Sequence, residues 1–325
     1  MKLSIVVPVY NVEQYVRKCI LSIINQEDDL FKEIEVIIVN DGTKDNSVEQ
    51  IQDLVDKYDN ITLINQQNQG LSVARNNGMD RVCGDYVWFV DSDDWISADA
   101  LKVLMPYLDG KNDIVSFAYT KVTEDEESVC CVFFDDVKTL SGKESFKSGC
   151  EFSTMAQRAA YRKEFIAKNN LEFMHGVYSQ DDELCLRASY LADVVTLIPH
   201  SIYFFLRTTG DKHVSIMNAG KPKYGFDYIK VTKSLSNFKQ EHVSEKDLAQ
   251  RFDYHISVLI NNGLNTISRC TEDDQKKFCE MYKETDGLNK CLYGGGGKYF
   301  VEAVLFSLFP NRMVKVYNFL KRFKG

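Results

Sequence analysis

The run Val87-Trp88-Phe89-Val90-Asp91-Ser92-Asp93-Asp94-Trp95 carries three carboxylates within four positions, directly behind four apolar residues. With Tyr86 ahead of it, the apolar run has the pattern of a buried parallel strand. The acids therefore fall at its carboxyl end, where open α/β sheets bind their ligands. Like charges crowded beside a hydrophobic strand repel one another and must stay solvated. A hard divalent cation bound to a phosphate resolves the conflict, because magnesium takes one or two carboxylates, several waters and phosphate oxygens. Asp91 and Asp93 suit this, since alternate residues leaving a strand can point the same way. Taken by itself, the motif is equally readable as a solvated acidic turn that caps the next helix.

The elements that must position these acids lie upstream. Lys2 to Tyr10 (KLSIVVPVY) is another buried-strand pattern and stops at Asn11. From Val12 to Asn25 the apolar positions Val12, Tyr15, Val16, Cys19, Ile20 and Ile23 follow helical spacing. Ile34 to Val39 reads as a strand ending in Asn40-Asp41-Gly42. Asp45, Asn46 and Ser47 are helix starters for a helix to about Tyr58. A short strand at Ile61 to Ile64, a helix at Leu71 to Asp80 and the strand at Tyr86 complete the series. Alternating strands and helices predict right-handed crossovers and a parallel sheet with helices on its faces. Each strand ends in polar residues, so one sheet edge collects Asn11, Asp41, Gln66 to Gln69 and Asp91. That is the inventory of a nucleotide pocket.

Four stretches, SIVVPVYNVEQYVRKCILSI, EVIIVNDGTKDNS, NQGLSVARNNGMDRVCGDYVWFVDSDDW and QDDE, resemble glycosyltransferase family 2, whose members are inverting enzymes with a GT-A fold. The likeness is dense over about the first 120 residues and thinner to about Ile216. It implies an α/β fold: a Rossmann-like, mainly parallel sheet with helices on both faces, then a helical C-terminal region. It also implies roles. Pro8 shapes the loop after the first strand, Tyr10 lies against the base, and Glu13 belongs to the same nucleotide-holding segment. Asp41 matches the carboxylate that contacts the base; uracil's N3–H suits it, although guanine also has ring donors. Without the resemblance Asp41 is a turn former before Gly42. Asn68, Gly70 and Arg75 fall in the segment lining the donor sugar and phosphates, where Arg75 either binds phosphate or holds the Asp91 cluster. Asp91 touches ribose or metal, Ser92 joins the donor-binding set, and Asp93 ligates Mn2+ or Mg2+.

A second acidic group, Gln180-Asp181-Asp182-Glu183, lies where the family places its general base. Inverting transfer needs a base to deprotonate the acceptor hydroxyl as it attacks the anomeric carbon. The resemblance assigns Asp182 as base and Asp181 as its support, with Asp-Asp standing where the family has Glu-Asp. The same acids also suit a helix N-terminus ahead of Leu184, Leu186, Ala188 and Leu191. Ser201 to Ile216 resembles the family's aromatic strand and following polar loop, so Arg207, His213 and Ser215 are candidates to close over the diphosphate. His213 is a further metal-ligand candidate, against the plain alternative of an exposed loop histidine. His175 is a candidate on the acceptor side.

Composition sets outer limits. The 325 residues are 44% hydrophobic and 26% charged with a net charge of -8, and there is no basic groove, so nucleic acid is excluded as a partner. Nine scattered cysteines show no zinc spacing and read as reduced, small hydrophobes of a cytosolic protein. The start MKLSIVVPVY enters a strand at once and is no signal peptide. Glu124 to Glu127 read as a solvated hairpin tip, Ser141 to Lys147 as a helix start, and Lys221 to Leu292 as mostly helical, with Tyr228, Val231, Leu235 and Phe238 on one face.

Charge segregates at the C-terminal end. From Lys298 onward, Lys298, Arg312, Lys315, Lys321, Arg322 and Lys324 stand against the single acid Glu302. Met313, Val316, Tyr317, Leu320 and Phe323 recur at helical spacing behind YFVEAVLFSLFP, which is too short to span a bilayer. Gly294 to Gly297 read as a flexible joint. A basic amphipathic end could lie on an anionic membrane or pack on the catalytic domain or a second subunit of a homodimer. The expected domains are a GT-A catalytic domain over 1–217, a helical region over 218–293, and the glycine hinge with basic amphipathic helices over 294–325.

The sequence thus predicts a metal-dependent inverting hexosyl- or N-acetylhexosaminyl-transferase. It would move a sugar from a nucleotide-sugar, by preference a UDP-sugar, to a glycan or lipid-linked glycan at the cytoplasmic face of the membrane. A sugar nucleotidyltransferase would carry a glycine-rich basic loop where this chain has PVYNVEQ. A dinucleotide oxidoreductase would show GxGxxG after the first strand. A non-catalytic nucleotide-sugar-binding scaffold would have no use for a base such as Asp182.

Overall fold

The computed structural model describes residues 1–321 apart from 124, 126, 133–134, 149–153, 208–220 and 286–287. They form two compact units: Met1–Gly176 with Ala188–Gly210, and Val177–Arg187 with Asp211–Gly325.

The first unit begins β1 (Leu3–Val9), α1 (Val16–Ile24), α2 (Asp28–Phe31), β2 (Ile34–Asn40), α3 (Gln52–Lys57), β3 (Ile61–Asn65), α4 (Leu71–Met79) and β4 (Tyr86–Phe89). It continues with β5 (Trp95–Ile96), α5 (Ala100–Leu104), β6 (Ile114–Thr123), β7 (Ser128–Cys131), β8 (Lys138–Leu140), α6 (Gly142–Ser148), β9 (Ala159–Arg162) and α7 (Lys163–Lys168). Helix α8 (Gln180–Leu191) then precedes β10 (Val195–Arg207).

Every residue of β1 is buried, as expected for a central parallel strand. Its two faces are both covered. Leu3, Ile5, Val7 and Val9 share a core with Cys19, Ile20 and Ile23 of α1. Val6 points the other way, where a Cβ at Gly78 of α4 would meet its Cγ1 at 2.4 Å. Gly78 is thus the close-packing point of α4 on the sheet.

The sheet order is β3-β2-β1-β4-β9-β6-β10-β5, with β7 on β6 and β8 on β10. The pairs from β3 to β4 are parallel, as predicted. Beyond β4 the sheet is mixed: β9 runs antiparallel to both β4 and β6, and β10 is parallel to β6. Strand β9 is four residues, AAYR, with no apolar run to announce it. The helix expected from Asp45 to Tyr58 is shorter, because Asp45 Oδ1 accepts bonds from the Thr43 hydroxyl at 2.7 Å and from Ser47 N–H at 3.1 Å. Those bonds hold the chain in turns until α3 begins at Gln52. Strands β6 and β7 form the predicted hairpin, and Ser141 with Glu144 makes a capping box on α6.

The second unit carries α9 (Pro222–His242), α10 (Lys246–Ile267), α11 (Glu272–Glu284), α12 (Leu288–Gly294), α13 (Gly297–Leu308) and α14 (Met313–Lys321). The expected face of Tyr228, Val231, Leu235 and Phe238 is buried. Two observations differ from expectation. Gly294 and Gly295 are close-packed rather than a loose joint: a Cβ there would lie 2.0 Å from Asp253 Oδ2 and 2.4 Å from Ser257 Oγ of α10. The apolar side of α14 is also occupied. Met313, Val314 and Tyr317 are buried, and the helix packs on α10, α11 and α13. No helix among the described residues is long and apolar enough to cross a membrane.

Candidate functional site

The parallel half of the first unit's sheet grows outward from β1 through β2 to β3, then returns to place β4 on the other side of β1. Such a switch point splays the loops leaving the two strands and opens a crevice at their carboxyl ends. β1 pairs with β4 only to Val6 and Phe89, but with β2 as far as Val9 and Asn40. Val6 C=O accepts from Val90 N–H and Val9 C=O from Asp41 N–H, so even residues of β1 face β4 and odd ones face β2. Pro8 faces the β4 side past the last paired residue, where its missing N–H costs no ladder bond. Pro8 is therefore buried strand interior, which corrects its reading as a loop-shaping residue.

The loop after β1 is tied to the loop after β2. Asn11 takes the left-handed conformation, φ 54°, and its N–H donates to Thr43 Oγ1 at 2.8 Å. Glu13 N–H donates to Asp45 Oδ2 at 2.9 Å, and Glu13 Oε2 accepts from Asn46 N–H at 3.0 Å. Glu13 thus clamps two loops together. Tyr10 stands 41% exposed at the rim, open to a stacking partner.

Asp41 is buried at the end of β2. Its Oδ1 accepts from Gln66 Nε2 and Gln69 N–H, and its Oδ2 from Gly70 N–H, each at 2.8 Å. These bonds fix the 66–70 loop that leads into α4. A carboxylate has about four acceptor sites, so Oδ2 retains room for one more donor. Gly42 permits the close approach of these loops, since a Cβ there would meet Asn68 N at 2.9 Å, and its φ is +65°. Gly70 starts α4 at φ +89°, and the Asn68 side chain beside it is exposed.

Arg75 is fully buried on α4. Its Nη2 donates to Asp91 Oδ1 at 2.6 Å, and its guanidinium lies 5.0 Å from the Phe173 ring centroid. Arg75 therefore holds the acidic cluster, the second of the two roles its position suggests. Gln157, which no pattern in the sequence singled out, donates from Nε2 to Asp91 Oδ2. It lies in a short turn ahead of β9, with no neighbouring motif to mark it.

The turn Asp91–Asp94 places three carboxylates so that their oxygens lie within 4.8 Å of one another. Asp94 is buried; its Oδ2 accepts from the Tyr203 hydroxyl at 2.5 Å and its Oδ1 from Leu206 N–H at 2.8 Å. Tyr203 Oη also accepts from Asp91 N–H at 3.2 Å. Asp94 and Tyr203 thus lock the turn to β10. Burial, then the Asp93 and Asp91 charges, drives the Asp94 carboxyl well above the usual range. Asp93 presents an exposed edge; enclosure by the surrounding protein and the Asp91 charge push it up to about 6. Ser92 is buried between them. An all-oxygen set that repels itself fits a hard divalent cation, and Asp93 has the exposed carboxylate of the set.

Replacing Tyr203 by Phe tests the lock. Asp94 then loses its hydroxyl donor inside the protein, which costs about 1–3 kcal/mol of stability. Mn2+ affinity, read by titration calorimetry, should fall about tenfold, since 1.4 kcal/mol is one decade. An unchanged affinity would free the turn from Tyr203.

Arg207 ends β10 exposed, whereas His213 and Ser215 lie outside the described residues. His175 is exposed, and its Nε2 lies 3.0 Å from Asn76 Nδ2. In the second unit, Asp181 and Asp182 occupy the first turn of α8, both half-buried. Glu183 is committed elsewhere: Arg187 Nη2 donates to its Oε2 at 2.8 Å and the Ser234 hydroxyl to its Oε1 at 2.7 Å.

A GT-A sheet with an Asp-x-Asp turn at its switch point is the architecture of a glycosyltransferase. Residues 4–129 match the model described as glycosyl transferase family 2. It is 28% identical over 265 residues to the Escherichia coli glycosyltransferase YibD, covering 79% of this chain and 76% of that protein. It is 34% identical over 216 residues to the Streptococcus pneumoniae glycosyltransferase GlyA, covering 63% of this chain but only 30% of GlyA. The crystal structure of Staphylococcus aureus TarS 1–349 in complex with UDP-GlcNAc superposes with a TM-score of 0.70 at 18% identity, over 98% of this chain and 88% of that one.

Proposed function

We propose that this chain transfers a hexose or N-acetylhexosamine from a UDP-sugar, with inversion, to a hydroxyl of a glycan or lipid-linked glycan in surface-polysaccharide synthesis. The observation that carries this is the Asp91–Asp93 turn, braced by Arg75, Gln157 and Tyr203 at the sheet's switch point. The UDP preference rests on the spare acceptor site of Asp41, which suits uracil N3–H, and on the UDP-GlcNAc complex of the TarS neighbour. Tyr10 would cover the base, and Asn68, Gly70, Ser92 and Arg207 would line the donor. The acceptor would be met at the cytoplasmic face of a membrane.

Asp93, with Asp91 beside it, would hold Mn2+ or Mg2+. A cation there supplies positive charge to the departing diphosphate. Arg75 keeps Asp91 aimed, and Asp182 takes the proton from the acceptor hydroxyl. The deciding experiment is a panel of UDP-sugars with and without manganese, read by UDP release. Turnover with a GDP-sugar in place of every UDP-sugar would overturn the donor assignment. Chelation should abolish tight UDP binding, and Asp93→Asn should weaken it by at least tenfold while the fold is kept. Calorimetry giving equal UDP affinity with and without chelator would remove the metal from the site.

A further inference from the structure

The C-terminal end of the second unit contains an apolar surface that its own packing leaves open. Helix α13 is apolar nearly all round, a pattern that ordinarily means burial on every side. Its inner face is buried, with Tyr299, Ala303 and Phe306 in the core of the unit. Its outer face is not: Phe300, Val301, Val304, Leu308 and the following Phe309 are exposed, Leu308 to 65%. Phe319 of α14 is exposed to 59%. Apolar surface of this kind marks an interaction site when it is contiguous and rimmed by polar groups.

The rim identifies the occupant. From Leu288 to Lys321 the exposed charged side chains are Lys290, Arg312, Lys315 and Lys321. The one acid in that stretch, Glu302, is fully buried and accepts from Asn261 Nδ2 at 2.8 Å. Among the described residues the exposed charge of α12 to α14 is therefore positive, in a chain whose net charge is -8, and one of these cations, Lys315, lies 3.8 Å from the exposed Glu272 of α11. A second copy apposed here would bring cation against cation, whereas an anionic bilayer offers both the opposite charge and an apolar phase.

We propose that the outer face of α13 lies in the interfacial layer of an anionic membrane, with Lys290, Arg312 and Lys321 on lipid headgroups. Large apolar residues on one side with basic residues on the neighbouring helices are what interfacial helices use. The inserting residues are those of α13 and not the apolar side of α14, which the unit buries. The inference extends the lipid-linked acceptor reading, but it is scored without turnover, so either can fail alone.

The test is co-sedimentation of the full chain with phosphatidylcholine vesicles carrying about one-third phosphatidylglycerol, at low and high salt. The wild type should bind at low salt, release at high salt and ignore pure phosphatidylcholine. Phe300→Ser with Leu308→Ser removes only exposed side chains; it should cut binding at least tenfold with an unchanged thermal midpoint. Lys290→Glu with Arg312→Glu should cut it by at least the roughly fivefold per charge expected near an anionic surface. No sedimentation at low salt overturns the proposal. So does equal binding by the Ser variant, or a wild-type dimer in sedimentation equilibrium that this variant dissociates without any vesicle binding.

Discussion

Asp182→Asn should bind UDP-sugar with near wild-type affinity and lose turnover by roughly 10²–10⁴-fold, the scale of a missing general base. The first turn of α8 offers three acids, and the structure separates them. Glu183 is buried and holds Arg187 and Ser234, so its oxygens are spent on packing the second unit. Asp181 and Asp182 are half-buried in the first turn of α8. Ser179, at φ 62°, turns the chain sharply into the helix and fixes that first turn. Tyr228 is buried, and burial first and the Asp182 charge after it raise its hydroxyl. It therefore stays protonated near Asp182 at neutral pH and cannot itself serve as the base. The measurement is donor binding by calorimetry beside UDP release with acceptor present. Asp181→Asn should cost less than tenfold. If Asp182→Asn turns over normally while Asp181→Asn is inactive, the base is Asp181.

The parts of this molecule legible in its sequence are those with a strong local period. β1, β2 and β4 are largely buried and read as predominantly apolar runs, and the acids behind them mark the sheet edge. The mixed half of the sheet was not legible, because β9 is four residues long and its pairing with β4 and β6 is set by tertiary contacts. The same holds for the groups that brace the site. Gln157 and Tyr203 lie 66 and 112 residues from Asp91 in the chain; Gln157 belongs to no motif, and nothing in the aromatic strand of Tyr203 marks its hydroxyl as a brace. Arg75 had two readings, and the bond to Asp91 that supports the bracing one is visible only in the folded chain. Glycines misled in one place. Four in a row suggest freedom, yet Gly294 and Gly295 are there because Asp253 and Ser257 leave no room for a Cβ.

Arg75→Met should destabilise the first unit by about 3 kcal/mol, the lower end of what breaking a buried ion pair costs. The lower end applies because Asp91 is 20% exposed, so water solvates part of the charge left behind, while Arg75 is not exposed at all. Most of the loss comes from that uncompensated carboxylate. The stacking of the guanidinium on Phe173 adds a smaller part, and Met replaces some of its packing volume. Against a typical stability of about 5–15 kcal/mol this is a large fraction, and urea midpoints will resolve it. Asp91→Asn in the Arg75→Met background removes the stranded charge and should recover more than half of the loss. The double variant should still bind UDP weakly, since Asp93 alone would remain to hold the cation. Stability and ligand affinity would then part company, as expected if Arg75 acts on the site only through Asp91. A single-variant loss below about 1 kcal/mol, or strict additivity of the two changes, would mean that the pair is not coupled and that Gln157 alone orients Asp91.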